Sequence, residues 1–171
     1  MKHFILVQML GVLTLVIFVV SLQLRRKEAF LLLQTAGTLL YVLQYILSGR
    51  ATAAVVFSIV AVRGLAFYFY KKKGLKPSVA VLVIFQAVLL ASAVLTWQNA
   101  LSALPLAATA AKTWGTWQDD MKWTRRTSLF GQACMVAYNL TAAMYTGALT
   151  EVCNLASTSV AIYRYDIRRQ N

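Results

Sequence analysis

Long apolar runs, separated by short polar breaks, fill this chain from end to end. Each run is close to the roughly 20 apolar residues that a helix needs to cross a bilayer. The pattern predicts seven helices: Phe4 to Gln23, Phe30 to Leu47, Ala51 to Tyr70, Ser78 to Trp97, Leu101 to Gln118, Thr127 to Tyr145 and Ala148 to Tyr163. The breaks have turn chemistry. Ser48-Gly49-Arg50 and Thr146-Gly147 read as tight glycine turns. Lys71-Lys72-Lys73-Gly74 followed by Pro77 reads as a charged helix stop and a new start. Trp97-Gln98-Asn99 is a short polar break, and the boundary at Asp119-Asp120 is the least marked. The first run ends in Arg25-Arg26-Lys27 without a small-residue cleavage site, so it reads as a retained helix rather than a signal peptide.

Composition agrees with this reading. The 171 residues are 60% apolar and 13% charged, against about 25% charged in a soluble domain. The mean hydropathy is +0.65. The net charge of +12 is gathered into clusters between the apolar runs. This favours membrane orientation and contact with anionic headgroups over nucleic-acid binding. If the seven helices alternate direction, one side holds thirteen Lys and Arg: residues 25–27, 71–73, 76, 122, 125, 126, 164, 168 and 169. The other side holds two, Lys2 and Arg50. Basic residues accumulate in the cytoplasm, so the N-terminus is expected outside and the C-terminus inside.

The first and last three helices rhyme. A basic pair follows the opening helix of each half (Arg25-Arg26 and Arg125-Arg126), and a glycine turn joins its next two helices. Each half ends in aromatic and basic residues, Phe67-Tyr68-Phe69-Tyr70-Lys71 and Tyr163-Arg164-Tyr165. A single helix between them makes the halves parallel, an arrangement that transporters use. The expected division is residues 1–73, a linker helix over 74–99, and residues 100–171, within one all-α transmembrane domain.

Ionisable and amide side chains within the runs are the candidate site, because they are costly in a bilayer. Glu151, Asn154 and Thr158 share one helical face, with Ser157 beside it. Such a stripe can line a cavity or act as an interhelical hydrogen-bond seam. Glu151 is also a candidate for proton coupling. Asn139, flanked by Tyr138 and Thr141, has Gln44 with Tyr41 and Tyr45 as its counterpart in the first half. Arg63 lies about 10 Å short of its helix's inner end, and the neighbouring Gly64 favours an interior placement. Lys112, about 9 Å from an inner boundary, is expected to snorkel. Trp97, Trp117 and Trp123 fit an interfacial aromatic belt, whereas Trp114 is a candidate lining residue.

Catalytic patterns are absent from the sequence. It has no HExxH, GxSxG or paired intramembrane aspartates, and its lone His3 and two cysteines, Cys134 and Cys153, make too few metal ligands. The protein is therefore expected to be no enzyme and to need no cofactor or metal. No lysine lies deep in the last helix to carry a retinal Schiff base.

The C-terminal half carries a wider pattern: Leu104-Pro105, Thr113-Trp114, Arg125, Tyr138-Asn139, Gly147, Glu151 and Ile162 to Arg164. In this order and spacing the last 65 or so residues resemble the YgjV family of bacterial inner-membrane proteins. Tyr138-Asn139 stands where that family has His-Asn. The first half agrees in hydropathy and helix count. The resemblance implies a multi-pass inner-membrane protein with a three-one-three plan similar to SWEET and PQ-loop transporters. It implies a small-solute carrier, with a site lined by Asn139, Glu151, Asn154, Thr158, Gln44, Arg63 and Trp114, and it leaves room for a homo-oligomer. Asn154 fits the amide that SWEET-type proteins place on the third helix of a half; the corresponding first-half position, near Val56, is apolar. The alternative is a non-transporting scaffold, regulator or lipid-binding protein of the inner membrane.

Overall fold

A computed structural model of the chain describes residues 2–47, 51–95, 97, 100–141 and 145–168, with side chains described beyond residue 5 except at 51–53, 55, 56 and 145–147. Among the described residues there are seven α-helices and no strand. They are α1 (Lys2–Leu22), α2 (Lys27–Leu47), α3 (Ala51–Lys72), α4 (Val79–Leu95), α5 (Ala103–Trp117), α6 (Met121–Thr141) and α7 (Tyr145–Ile162). A short 3₁₀ turn (Ala100–Ser102) leads into α5, and a π-turn (Tyr163–Ile167) ends α7.

The helix count matches the hydropathy pattern, but several boundaries differ. Helix α6 begins six residues before the expected Thr127, because Asp120 caps it: the Lys122 amide donates to Asp120 Oδ1 at 2.9 Å. Lys122, Arg125 and Arg126 are therefore helical residues, not a loop. Thr146 and Gly147 lie in the first turn of α7, not in a tight turn before it. The Ser48-Gly49-Arg50 turn and the Gln98-Asn99 break lie outside the described residues, as does the side chain of Val56. The stop after α3 is as the sequence predicts. Gly74 takes φ +68°, its amide donates to the Lys71 carbonyl, and the Leu75 amide reaches back to Tyr70 O at 2.9 Å. This is a Schellman cap, which a glycine makes without strain.

By length and hydropathy, α2 is the one helix among the described residues that clearly reaches the size of a membrane span. The apolar stretches Leu6–Leu22 and Val79–Leu95 are shorter. Helix α5, at 15 residues, falls short of the roughly 20 that a bilayer core requires. Helix α6 carries three basic residues and a largely polar buried face.

The chain divides into two compact units, Met1–Leu75 and Lys76–Asn171. In the first, α2 packs against both α1 and α3. In the second, α6 packs against both α5 and α7, and α4 lies against α5. Helix α4, the expected linker helix, lies within the second unit. Gln86 Nε2 donates to Ala110 O at 3.0 Å, and Trp117 Nε1 donates to Pro77 O at 2.8 Å.

Burial departs from that of a water-soluble domain. Large apolar side chains are exposed along α1 (Leu6, Met9, Val12, Leu13, Val16, Val20) and α4 (Val79, Val83, Ile84, Leu90, Val94, Leu95). Many buried positions are polar: Thr14, Ser21, Thr35, Thr38, Thr113, Thr124, Ser128 and Gln132, alongside large apolar side chains such as Leu22, Phe30, Leu31 and Phe67. A helix that meets lipid on its outside gains nothing by hiding leucine, so its interior favours small residues and hydrogen-bonding groups. Most hydroxyls bond their own helix. Those of Thr14, Thr35, Thr38, Thr109 and Thr113 each donate to the carbonyl four residues back.

Glycines set the closest helix approaches. A Cβ on Gly37 of α2 would lie 2.7 Å from Phe18 Cε1 of α1, and one on Gly115 of α5 would collide with the Thr127 side chain of α6. The first unit also holds an aromatic cluster in which Tyr41 contacts Phe18, Tyr45 and Phe57 at centroid distances of 5.4–6.0 Å. Replacing Gly115 with leucine is expected to destabilise the second unit by about 1–3 kcal/mol through overpacking. The measurement is unfolding of detergent-purified protein. An unchanged midpoint would mean that α5 and α6 do not meet there.

Candidate functional site

The candidate site is built on three neighbouring helices of the second unit. Helix α6 supplies its middle. Its buried residues are Met121, Thr124, Arg125, Ser128, Gly131, Gln132 and Asn139. Their spacings of three, four and seven make a single stripe, and five of the seven are polar or charged. Opposite this stripe stand Asn154, Ser157 and Thr158 of α7, all buried.

Thr158 is fully enclosed, and its Oγ1 lies 2.9 Å from Gln132 Oε1 and 2.8 Å from the Asn154 carbonyl. Its single proton serves one of the two acceptors. Asn154 is 6% exposed, yet its Oδ1 is buried with no hydrogen-bond partner. One turn earlier, Glu151 Oε2 is likewise buried without a hydrogen bond. A buried acceptor left unpaired costs on the order of 1–3 kcal/mol, and two fall on the same face of one helix.

Lys112 departs from its expected behaviour. It does not snorkel toward the nearby end of α5. Its stem runs across α6 at Gly131, where an added Cβ would lie 2.7 Å from Lys112 Cε and 3.0 Å from both Lys112 Cγ and the Ala108 carbonyl oxygen. Its ammonium then lies 3.9 Å from Glu151 Oε2 of α7. The missing side chain at Gly131 is what lets a lysine from α5 pass α6 and reach α7.

A second ion pair lies in the same unit. Arg125 Nη1 donates to Asp166 Oδ1 at 2.6 Å, with side chains only 4% and 7% exposed. The Arg125 guanidinium also sits 5.0 Å from the centroid of the Tyr165 ring. Asp166 belongs to the π-turn, so this pair ties the C-terminal end of α7 to the start of α6. The two pairs differ in kind. Arg125–Asp166 is closed and buried. Lys112–Glu151 is longer than a direct hydrogen bond, and its side chains are 31% and 19% exposed.

The sequence-predicted residues distribute as follows. Glu151, Asn154 and Thr158 do form one face, and it meets α6. Asn139 is buried on α6. Trp114, two positions from Lys112, points about 200° around α5 from it. It packs edge-to-face on Trp123 with centroids 5.4 Å apart. Gln44 and Arg63 lie in the first unit. The Gln44 amide covers Gly11 of α1, with Nε2 3.0 Å from where a Cβ would be. Arg63 is half-buried, beside a glycine that abuts Thr35 of α2. Trp117 is tied to Pro77 and lies under Lys76, whose Nζ is 4.0 Å from its ring centroid. Cys134 and Cys153 are half-buried free thiols.

Three residues that shape this unit are outside the sequence expectations. Gln132 shares a face with Ser128 and Asn139, a periodicity that was there to find. Asp120 before an apolar-periodic helix is an N-cap signal, which would have moved Arg125 into α6. Asp166 gave no signal, because it falls beyond the expected helix end.

Two measurements follow. Removing one partner of the closed pair, as in Arg125→Met, is expected to lose about 3–5 kcal/mol of stability. The double variant Arg125→Met/Asp166→Leu recovers most of it. A double variant that loses the sum of the two single losses would mean that the two side chains do not interact. Gly131→Ala is expected to lower stability by about 1–3 kcal/mol by crowding Lys112. Part of this is relieved in a Lys112→Ala background, because the shortened side chain clears the position. A strictly additive double variant would contradict the crossing.

Comparison with known proteins agrees with the lipid-type exterior and the polar interior. The model of the bacterial inner membrane protein family Imp-YgjV matches residues 5–169, so the similarity extends through the first half and is not confined to the last 65 residues. No curated protein and no solved structure matches the chain significantly. With nearly the whole of its length matched, the chain belongs to the Imp-YgjV family of bacterial inner membrane proteins.

Proposed function

We propose that this inner-membrane protein is a carrier for a small polar solute. In this reading its seven helices cross the bilayer, with the N-terminus outside and the C-terminus in the cytoplasm. The thirteen-to-two partition of basic residues supports that orientation. The single observation that carries the reading is the α7 face. Glu151 Oε2 and Asn154 Oδ1 are two neighbouring buried acceptors that the protein leaves without a hydrogen bond. Buried polar groups are mostly hydrogen-bonded, and these two lie one turn apart on one face, beside the open Lys112–Glu151 pair. A binding site leaves some acceptors for its ligand. Solute binding by differential stabilisation of two states requires no bound cofactor and no catalytic group. Similar three-helix packing, with the middle helix touching both neighbours, occurs in each unit, which is compatible with an ancestral three-one-three repeat.

A second reading draws on a different observation. Lys76 lies over Trp117, and Arg126 lies 5.6 Å from the Trp123 ring centroid. Cation and ring together form an interfacial anchor. A non-transporting scaffold or regulator that holds anionic lipid on its basic face would use the same groups.

A thermal-shift screen of purified protein against sugars, nucleosides, vitamins and amino acids separates the two. The carrier reading expects at least one solute to raise the melting temperature. It also expects Asn154→Leu to abolish that shift while leaving the unliganded protein as stable as before, because the substitution removes an unsatisfied acceptor. A destabilised Asn154→Leu protein would instead make the amide structural. Stabilisation by anionic lipid alone would favour the second reading.

A further inference from the structure

The carrier reading leaves the solute's chemistry open, and the two ion pairs of the second unit narrow it. Arg125–Asp166 shows what a structural pair looks like in this protein: 2.6 Å, with both side chains almost wholly buried, even though Asp166 Oδ2 keeps no hydrogen bond, so the two pairs are told apart by distance and exposure. Lys112–Glu151 is made of similarly opposed charges in the same unit, yet it stops at 3.9 Å and stays partly open. A direct charge-assisted hydrogen bond would be about 2.7–2.9 Å. The charges balance each other, but their hydrogen-bonding capacity is not used up. Glu151 Oε2 has no hydrogen bond, and neither has Asn154 Oδ1. These residues are three apart on α7, which places their Cβ atoms about 5–6 Å from one another. The groups on offer are therefore one cation with spare protons and two neighbouring acceptors, one of them anionic.

We propose that Lys112, Glu151 and Asn154 bind the ammonium and carboxylate of a zwitterionic solute, of the free amino-acid class. The solute's carboxylate accepts from the Lys112 ammonium. Its ammonium donates to Glu151 Oε2 and Asn154 Oδ1. One internal ion pair is exchanged for two intermolecular ones, and every charge remains compensated throughout. A simple amine would satisfy Glu151 but strip Lys112 of its counter-charge. A simple carboxylate would do the reverse. Either leaves an isolated charge in a low-dielectric interior, which is heavily penalised. A neutral sugar could take the two acceptors, but it would leave the lysine where it is and make no use of the open pair. Gly131 is a positioning residue here, because it lets the Lys112 stem reach α7.

This inference rests on the carrier reading and is tested separately from it. The full-length protein, purified in detergent, is screened by thermal shift against the standard amino acids. Any that stabilise it are then compared with their methyl esters and N-acetyl derivatives, alongside glucose and uridine. The expected result is stabilisation by at least one amino acid, with both blocked derivatives inactive. Lys112→Gln and Glu151→Gln each weaken its apparent affinity by roughly 10- to 100-fold. The double variant Lys112→Gln/Glu151→Gln leaves no charge uncompensated, so it guards against misfolding of either single variant. It is expected to melt as a folded protein while losing the zwitterion's shift. Stabilisation by glucose or uridine but by no amino acid would retain the carrier and overturn the zwitterion. Equal binding of the free and blocked amino acids would also overturn it. No stabilisation by any solute would overturn both readings.

Discussion

The approach of α5 to α6 governs the second unit. At Gly115 and Gly131 the two helices come close enough that a single added carbon would collide with a neighbour. Lipid tails are as apolar as leucine side chains, so there is little hydrophobic drive to bring such helices together. Packing must do so, and packing improves as backbones approach. The hydrogen bond from Thr124 Oγ1 to the Gly115 carbonyl, 2.8 Å long, depends on the same proximity. So does the path of Lys112. A lysine that could not lie on Gly131 would have to turn along α5, and Glu151 would then face the interior without a counter-charge. The backbone spacing and the electrostatics of the site are thus one constraint seen twice.

The unit holds two oppositely built ion pairs. The closed one joins Arg125 to Asp166 and is further enclosed by the Tyr165 ring. It is short, buried and flanked by an aromatic face, which offsets part of the desolvation cost, while Asp166 Oδ2 keeps no hydrogen bond. The open one joins Lys112 to Glu151. Lysine is the less committed partner, a compact charge on a flexible stem with three donors, and it can exchange one anion for another without a planar fit. Arginine at the pair that holds the ends together and lysine at the pair that stays open match the demands of the two places.

How much of this was readable in the sequence follows from what each residue's signal depends on. Helix number was legible because it rests on hydropathy, a sum over many residues. The common face of Glu151, Asn154 and Thr158 was legible because helical geometry fixes it locally. The capped end of α3 was legible because Gly74 follows three lysines and precedes Pro77. The path of Lys112 was not, because it depends on a glycine nineteen positions away on another helix, and spacing along one helix says nothing of that. The start of α6 differs from the expected one because a basic run resembles a loop, and its two clues are the Asp120 cap, which is local, and the Asp166 partner of Arg125, which is not. Trp114 is a candidate lining residue in the sequence, while in the structure it packs on Trp123.

The π-turn at the end of α7 accounts for how one helix can hold both pairs of contacts. Thr158 meets Gln132, and Asp166 meets Arg125. From Gln132 back to Arg125 is seven residues, almost two whole turns, so both point the same way from α6. From Thr158 on to Asp166 is eight residues. In an ordinary α-helix that would leave Asp166 about 80° out of phase with Thr158. The Arg168 amide instead bonds to the Tyr163 carbonyl five residues back, and such a wide turn takes up more residues per revolution. It absorbs the surplus residue and brings the aspartate round to face α6. The seam between the two helices is thus kept in register by one local loosening of the backbone, like a leap day that keeps a calendar aligned with the year.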